Sequence, residues 1–298
     1  MSTERQWSFS TLSLFQTCKR KYYYRKVLGL TPLTVAPALA FGKALHEGFE
    51  TFYFFLGRKE EREQALEKAL RVFREGYEDR IEDDKRTIAN GEKLLKSYEE
   101  VYRNEGFVTL TQEVAYVVPL EYTLDGVKKS VLLCGVLDAL VRWNGPLYVL
   151  ERKTTAQLNI NFFKPFEQSS QLDHYIVASE KVIGEKCYGA ILDAAEVWKE
   201  VKRETAKTKK MEDHFARDII NRSTLELEEF AKDTGMIVEE ILEAERTNRF
   251  PRNKQACFSY NYKCPYWDIC KYGDDPKVIA RSFEIKNAQL VQENLEEV

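Results

Sequence analysis

The chain has 298 residues, of which 44% are hydrophobic, 31% charged and 12% aromatic, with 14 glycines and 8 prolines. That is enough apolar material for a sizeable core, and it excludes a fibrous or largely disordered chain. No apolar run of about 18 residues is present, so a membrane-spanning helix is excluded. The formal net charge of −3 carries no global mark of a nucleic-acid binder. The opening residues, MSTERQWSFS, lack the apolar stretch of a signal peptide. The expectation is a cytoplasmic, reducing compartment, where the six cysteines are core thiols or metal ligands rather than disulfides.

Taken in chain order, Ser8 to Leu30 mixes aromatic with basic residues, and Ser10 and Ser13 are placed to cap a short helix. Phe41, Leu45, Phe49 and Phe52 recur at three- and four-residue spacing, which predicts a helix over 38–56. Residues 58–105 are dense in charge, with an apolar stripe of Leu66, Leu70, Phe73 and Tyr77, and read as a pair of solvated helices covering a core. Three strands follow, over 107–122, 130–143 and 147–153, turned by Asp125-Gly126 and Asn144-Gly145 into a meander. A helix over 162–183, a strand over 187–197, an exposed basic loop at 199–210, a return strand over 214–221 and a long helix over 224–247 complete the series. A cysteine-rich segment spans 257–270, and a polar tail that frays occupies 271–298. This order predicts an α/β fold with a mixed central sheet flanked by helices. No stretch has a linker's composition, so one domain is expected over 1–298, with 58–105 as a helical insertion.

Asp138 lies in the otherwise apolar run Cys134–Val141, where an acid is costly to bury unless paired or bound to metal. Glu151 and Lys153 close the next strand, and residues two apart on a strand share a face. Two carboxylates and a lysine on one face suit metal-dependent phosphodiester hydrolysis. The acids hold a hard divalent cation, and the lysine offsets developing negative charge. The alternative is a salt-bridged strand end. His46, on the first long helix, reads by itself as an ordinary core or surface histidine. Gln171 and Tyr175 share a helix face beside the strand ends.

Gly-x-x-x-His at 42–46, Gly-x-x-Asp at 135–138, Glu-Arg-Lys at 151–153 and Gln-x-x-x-Tyr at 171–175 follow one another in an order that resembles the RecB-like branch of the PD-(D/E)XK nuclease superfamily. The resemblance covers about residues 8–270. It implies a restriction-endonuclease-like core in which His46, Asp138, Glu151 and the carbonyl of Arg152 bind Mg2+ or Mn2+. It also implies that Asp138, Glu151 and Lys153 are catalytic, and that Gln171 and Tyr175 support the site and contact DNA. Glu113 is a candidate auxiliary acid. Lys19, Arg20 and Tyr22, with the loop at 199–210, are candidate DNA contacts, Tyr22 to Tyr24 by stacking on bases.

Cys257, Cys264 and Cys270 crowd one short aromatic segment, while Cys134 and Cys187 sit in apolar strands. Adding Cys18 gives four thiolates, suited to zinc or to an iron–sulfur cluster. No Cys-x-x-Cys pair typical of zinc is present. The split pattern resembles the iron–sulfur subgroup of these nucleases, which includes the CRISPR-associated RecB-like exonucleases and AddB-type subunits. It implies a 4Fe–4S staple joining the chain ends, with zinc as the alternative. The function expected is a metal-dependent deoxyribonuclease, an exonuclease on single-stranded DNA ends. Phage replication, recombination, repair and CRISPR adaptation all fit. The alternative is a catalytically weak DNA-binding scaffold subunit. With no Gly-x-x-x-x-Gly-Lys-Ser/Thr motif, unwinding would fall to a helicase partner.

Overall fold

Alternating and continuous apolar runs, punctuated by two-residue turns of positive φ, make strands the middle of this chain's architecture. The computed structural model describes residues 4–78, 80, 82–104, 106–199, 209–259 and 262–286. Most of the basic loop at 199–210 therefore lies outside the described residues. The chain forms two compact units, one of Met1–Thr34, Ala115–Gly135 and Ser223–Val298, the other of Val35–Val114 and Val136–Arg222.

The second unit is built on a mixed sheet. Strand β3 (Val108–Leu124) turns at Asp125-Gly126, both at positive φ, into β4 (Val127–Arg142), with which it pairs. These two strands contribute residues to both units. In the second unit β4 runs antiparallel to β5 (Leu147–Thr155), with Ala139 opposite Leu150. β5 runs parallel to β6 (Cys187–Glu196), with Glu151 opposite Leu192, and β6 antiparallel to β7 (Phe215–Asn221). A parallel pair needs a crossover. Here it is helix α6 (Ser170–Ile183), ended by Gly184 in the left-handed conformation at φ 78°.

Helix α3 (Pro37–Gly57) starts with proline in its first turn, where the missing N–H costs nothing. It packs with α4 (Arg62–Tyr77) and α5 (Ile88–Val101) around Phe41, Phe49, Phe73, Tyr77 and Tyr98. On α4 the fully buried positions are Ala65, Ala69, Phe73 and Tyr77, with Leu66 and Leu70 half-buried beside them. Each buried ring of this kind contributes roughly 2–3 kcal/mol of hydrophobic stabilisation. The expected helix over 162–183 divides into a short 3-10 turn, Lys164–Gln168, and α6. Pro165 and the extended backbone of Ser169 interrupt the helical hydrogen bonds.

In the first unit, β1 (Gln6–Ser8) pairs parallel to the start of β4, with Trp7 opposite Leu133. Helix α1 (Phe9–Thr17) is capped by Ser8, whose hydroxyl accepts from Thr11 N–H, rather than by Ser10 or Ser13. Helix α2 (Lys19–Tyr22), a π-turn at Tyr23–Val27 and β2 (Leu30–Pro32) follow. Helix α7 (Thr224–Thr247) begins in a capping box of Ser223 and Glu226, which satisfies its first free N–H groups. The ribbon β8 (Phe258–Ser259) and β9 (Tyr262–Lys263) leads into α8 (Trp267–Tyr272). The residues expected to fray after Lys271 instead form α9 (Pro276–Ser282) and β10 (Phe283–Ile285). β10 pairs with β2, and Phe283 stacks on Tyr266, so apolar burial holds this stretch of the tail.

Candidate active site

The second unit gathers seven of the residues singled out in the sequence. Helix α3 supplies His46. Its earlier turn lies close to β5 because Gly42 has no side chain, and a Cβ there would sit 3.0 Å from Thr154 Oγ1. His46 Nε2 is 2.8 Å from Asp138 Oδ2. The same carboxylate oxygen accepts the Arg152 main-chain N–H at 2.9 Å, which ties β4 to β5 at the site. Lys153 Nζ donates to Glu151 Oε1 and, at 3.1 Å, to Gln171 Oε1. Gln171 Nε2 in turn donates to the Tyr175 hydroxyl at 3.1 Å. His46, Asp138, Glu151, Arg152, Lys153, Gln171 and Tyr175 are thus brought together by two strands and two helices.

Two further acids join them. Glu113 of β3 places Oε1 3.9 Å from His46 Nδ1, and its backbone takes φ 45°, a left-handed conformation that a non-glycine residue holds only at a cost. Glu50 lies one helical turn after His46. The donor atoms of His46, Glu50 and Glu113 all lie within 4.8 Å of one another. Glu113 is the candidate auxiliary acid of the sequence, whereas Glu50 is not among the residues the sequence singles out. Its signal was the four-residue spacing from His46, which puts both on one helix face.

The electrostatics are those of an acid cluster short of positive charge. Burial and the neighbouring carboxylate of Glu50 push Glu113 up to about 7. Burial and Asp138 do the same to Glu151, also to about 7, despite Lys153. Burial raises Glu50 as well. In the closest pair, burial opposes the charges on both sides, yet the hydrogen bond raises His46 and lowers Asp138 from their ordinary values. Glu151 Oε2 and Glu113 Oε1 are buried with no hydrogen-bond partner among the described residues. Hard oxygen donors left unsatisfied, beside an imidazole, are a donor set that a divalent cation fits. A cavity of about 440 Å3 elsewhere in this unit, bordered by Leu158, Ile160, Phe163 and Asp218, shares no residue with the cluster.

The other candidate residues belong to the first unit. Tyr22 corrects an expectation. Its ring is 0% exposed, packed on Phe15 and Phe250, and its hydroxyl donates to Glu245 at 2.7 Å. Tyr24 is buried too, so neither ring is available to stack on bases, because this aromatic run serves the core. Lys19 pairs with Glu240 at 2.8 Å, and Arg20 Nε donates to the Phe250 carbonyl at 2.9 Å.

Cys134 and Cys187 are buried, whereas Cys18, Cys257, Cys264 and Cys270 are half-buried and reduced. Among the described residues no three of these four sulfurs come within 4.8 Å of one another, so the expected four-thiolate group is not assembled as a tight site. What ties Cys18 to the later segment is hydrogen bonding. Asn253 N–H reaches Cys18 Sγ at 3.4 Å, Asn253 Nδ2 reaches Thr17 O at 2.9 Å, and Cys257 Sγ reaches Asn253 O at 3.7 Å.

Among the described residues no helix is long and apolar enough to cross a membrane. No curated protein matches the chain. Among solved structures it is similar to a protein from Eubacterium rectale provisionally named an exonuclease, at 17% identity and TM-score 0.46, over 85% of each chain. It is also similar to the crystal structure of SSO0001, at 17% identity and TM-score 0.29, over 65% of this chain and 73% of that one. The model of the PD-(D/E)XK nuclease superfamily matches residues 6–271, nearly the whole of the described chain, and the protein belongs to that superfamily.

Proposed function

We propose that this nuclease is a divalent-metal-dependent deoxyribonuclease of the RecB-like branch, acting on single-stranded DNA ends as an exonuclease. The observation that carries the reading is the meeting of Asp138, Glu151, Lys153 and His46 at one place, with buried carboxylate oxygens left unsatisfied. Asp138, Glu151, His46 and the carbonyl of Arg152 are the residues that would hold Mg2+ or Mn2+. Such a cation polarises the phosphate and lowers the pKa of water. Lys153, fixed by Glu151 and Gln171, places a positive charge where negative charge develops on the phosphate. Tyr175, held by Gln171, lines the same side. Lys19 and Arg20 are partly engaged in internal contacts, so their share of DNA binding is limited to sequence-independent charge.

The four half-buried thiols we assign to a 4Fe–4S cluster. A single zinc ion, with Zn–S bonds of about 2.3 Å, needs sulfurs within about 4 Å of one another. A four-iron cube binds each thiolate to a different iron and holds them farther apart. That no three of these sulfurs lie within 4.8 Å of one another among the described residues therefore weighs against zinc more than against the cluster. Burial raises the Cys264 and Cys270 thiols, which a bound metal would have to overcome. Brown colour lost on chelation is the expected result, and colourless protein with stoichiometric zinc overturns this assignment.

The function is tested by incubating the protein with 5′- and 3′-labelled single- and double-stranded DNA in Mg2+, Mn2+ or EDTA. Metal-dependent shortening of single strands, lost in Asp138→Ala and Lys153→Ala, is expected. DNA bound but uncut under every condition would replace the nuclease reading with that of a scaffold subunit working beside a helicase or other DNA-processing partner.

A further inference from the structure

Arg152 stands between two site residues, Glu151 and Lys153, yet strand alternation turns its side chain to the other face of β5. There it is only 7% exposed. The register sets it beside Asp193 of β6, and Asp193 beside Arg217 of β7. The three form a row of alternating charge under α3 and α5, with Arg152 and Asp193 buried and Arg217 half-buried. Asp193 is already matched: Arg217 Nε lies 3.1 Å from its Oδ1, and the Tyr98 hydroxyl donates to its Oδ2. Arg217 rests on the Tyr102 ring, 3.5 Å from its centroid.

Arg152 is then the surplus cation. Among the described residues it makes no ion pair, and its Nε and one terminal nitrogen have no hydrogen-bond partner. Its guanidinium lies 4.5 Å from the centroid of the Tyr53 ring, which compensates less than the burial of an unpaired ion costs. Unpaired buried cations persist where a nearby field is negative, and the surplus negative charge of this unit is the acid cluster, whose His46 and Glu50 stand on α3, the helix that also carries Tyr53. Arg152 is bound to that cluster through its main-chain N–H, which holds Asp138. Its charge is also felt by His46, Glu50, Glu113 and Asp138 alike.

We infer that the Arg152 side chain is a resident counter-charge, buried beside the acid cluster, that offsets the mutual repulsion of Asp138, Glu50 and Glu113 before any divalent cation arrives. It is a positioning residue, acting through the acids rather than on DNA. A site of this kind folds without metal and exchanges it, because the fixed cation opposes the incoming one. The metal arm of the test rests on the proposed role of these acids; the metal-free arm does not.

The test compares full-length wild type, Arg152→Met, Arg152→Lys, Glu50→Gln and the double variant Arg152→Met/Glu50→Gln. In EDTA, Arg152→Met is expected to lower Tm, Arg152→Lys to keep most of it, and Glu50→Gln to recover about half or more of the loss in the Met background. Losses that simply add would reduce Arg152 to packing and overturn the inference. Should Arg152→Met be insoluble, recovery of soluble protein by adding Glu50→Gln supports it, and insolubility of both overturns it. In calorimetric Mn2+ titrations without DNA, Arg152→Met should bind roughly threefold or more tightly than wild type, since a fixed repulsion is gone. Equal or weaker binding overturns the inference. Wild type that binds no Mn2+, with the EDTA coupling intact, would sink the metal reading of the acids and leave the counter-charge standing.

Discussion

The two units hold their reactive side chains in different ways. In the second, the donors stand on long regular elements: His46 and Glu50 one turn apart on a helix of 21 residues, and Glu151 and Lys153 alternating along a strand buried by its neighbours. In the first, the thiols sit at a helix junction, a 3-10 turn and a six-residue helix. Asn253 links Cys18 to the Cys257 segment, its N–H donating to Cys18 Sγ and its carbonyl accepting from Cys257 Sγ. Regular elements position side chains by backbone periodicity, which is how the acids converge. Short irregular segments have no such periodicity, and among the described residues no three of their thiols meet within 4.8 Å.

Chemistry and stability should therefore separate between the units. The largest expected effect is on cleavage: Asp138→Ala or Lys153→Ala should cut the rate roughly 100- to 1,000-fold, with Tm changed little. A comparable loss from a cysteine variant, measured with labelled single strands, would break the comparison. Next, Cys270→Ser should lower stability by about 3 kcal/mol, as loss of a long-range crosslink does, while leaving cleavage by the folded fraction in place. Denaturant melts of the two proteins measure this directly.

A third expectation concerns pH. Glu113 and Glu151 titrate at about 7 in the folded chain, against an ordinary value of 4.5. Between those limits the native state holds protons that the unfolded chain has released. The contribution of these two acids to the stability of the metal-free protein is thus full below about pH 4.5 and is lost as pH rises through about 7, by on the order of 2 kcal/mol. Melts in EDTA from pH 4.5 to 8 should show this decline, and Mn2+ should flatten it at the upper end; a rise with pH would contradict the described burial of these acids. The smallest effect is that of Tyr22→Phe, which removes the hydroxyl bonded to Glu245 and should cost about 1 kcal/mol without changing DNA affinity. A marked loss of DNA binding would restore this ring to the nucleic-acid surface.

Much of the fold is legible in sequence, and the reasons are local. The strand ends of β5 and β6 and the span of α7 follow from apolar periodicity and from caps such as Ser223. The pairing of Glu151 with Lys153 follows from the two-residue period of a strand. Tyr22 and Tyr24 were misread because a basic-aromatic run looks the same whether its rings face solvent or core. Phe250, more than two hundred residues away in the chain, decides it by covering Tyr22. The tail was misread for a similar reason: Phe283 gains its burial only from Tyr266 and the pairing with β2.

The sequence by itself determined the order of elements, the family pattern, and which residue types could hold a hard cation, since these depend on neighbours a few positions apart. Only the tertiary structure decided that Glu113 and Glu50 join His46, that the Arg152 side chain packs on Tyr53, and that among the described residues no three of the outer thiols meet within 4.8 Å. Those outcomes depend on strand register and on which buried charges find partners. Both are set by packing between segments distant in the chain, where no local pattern reports them.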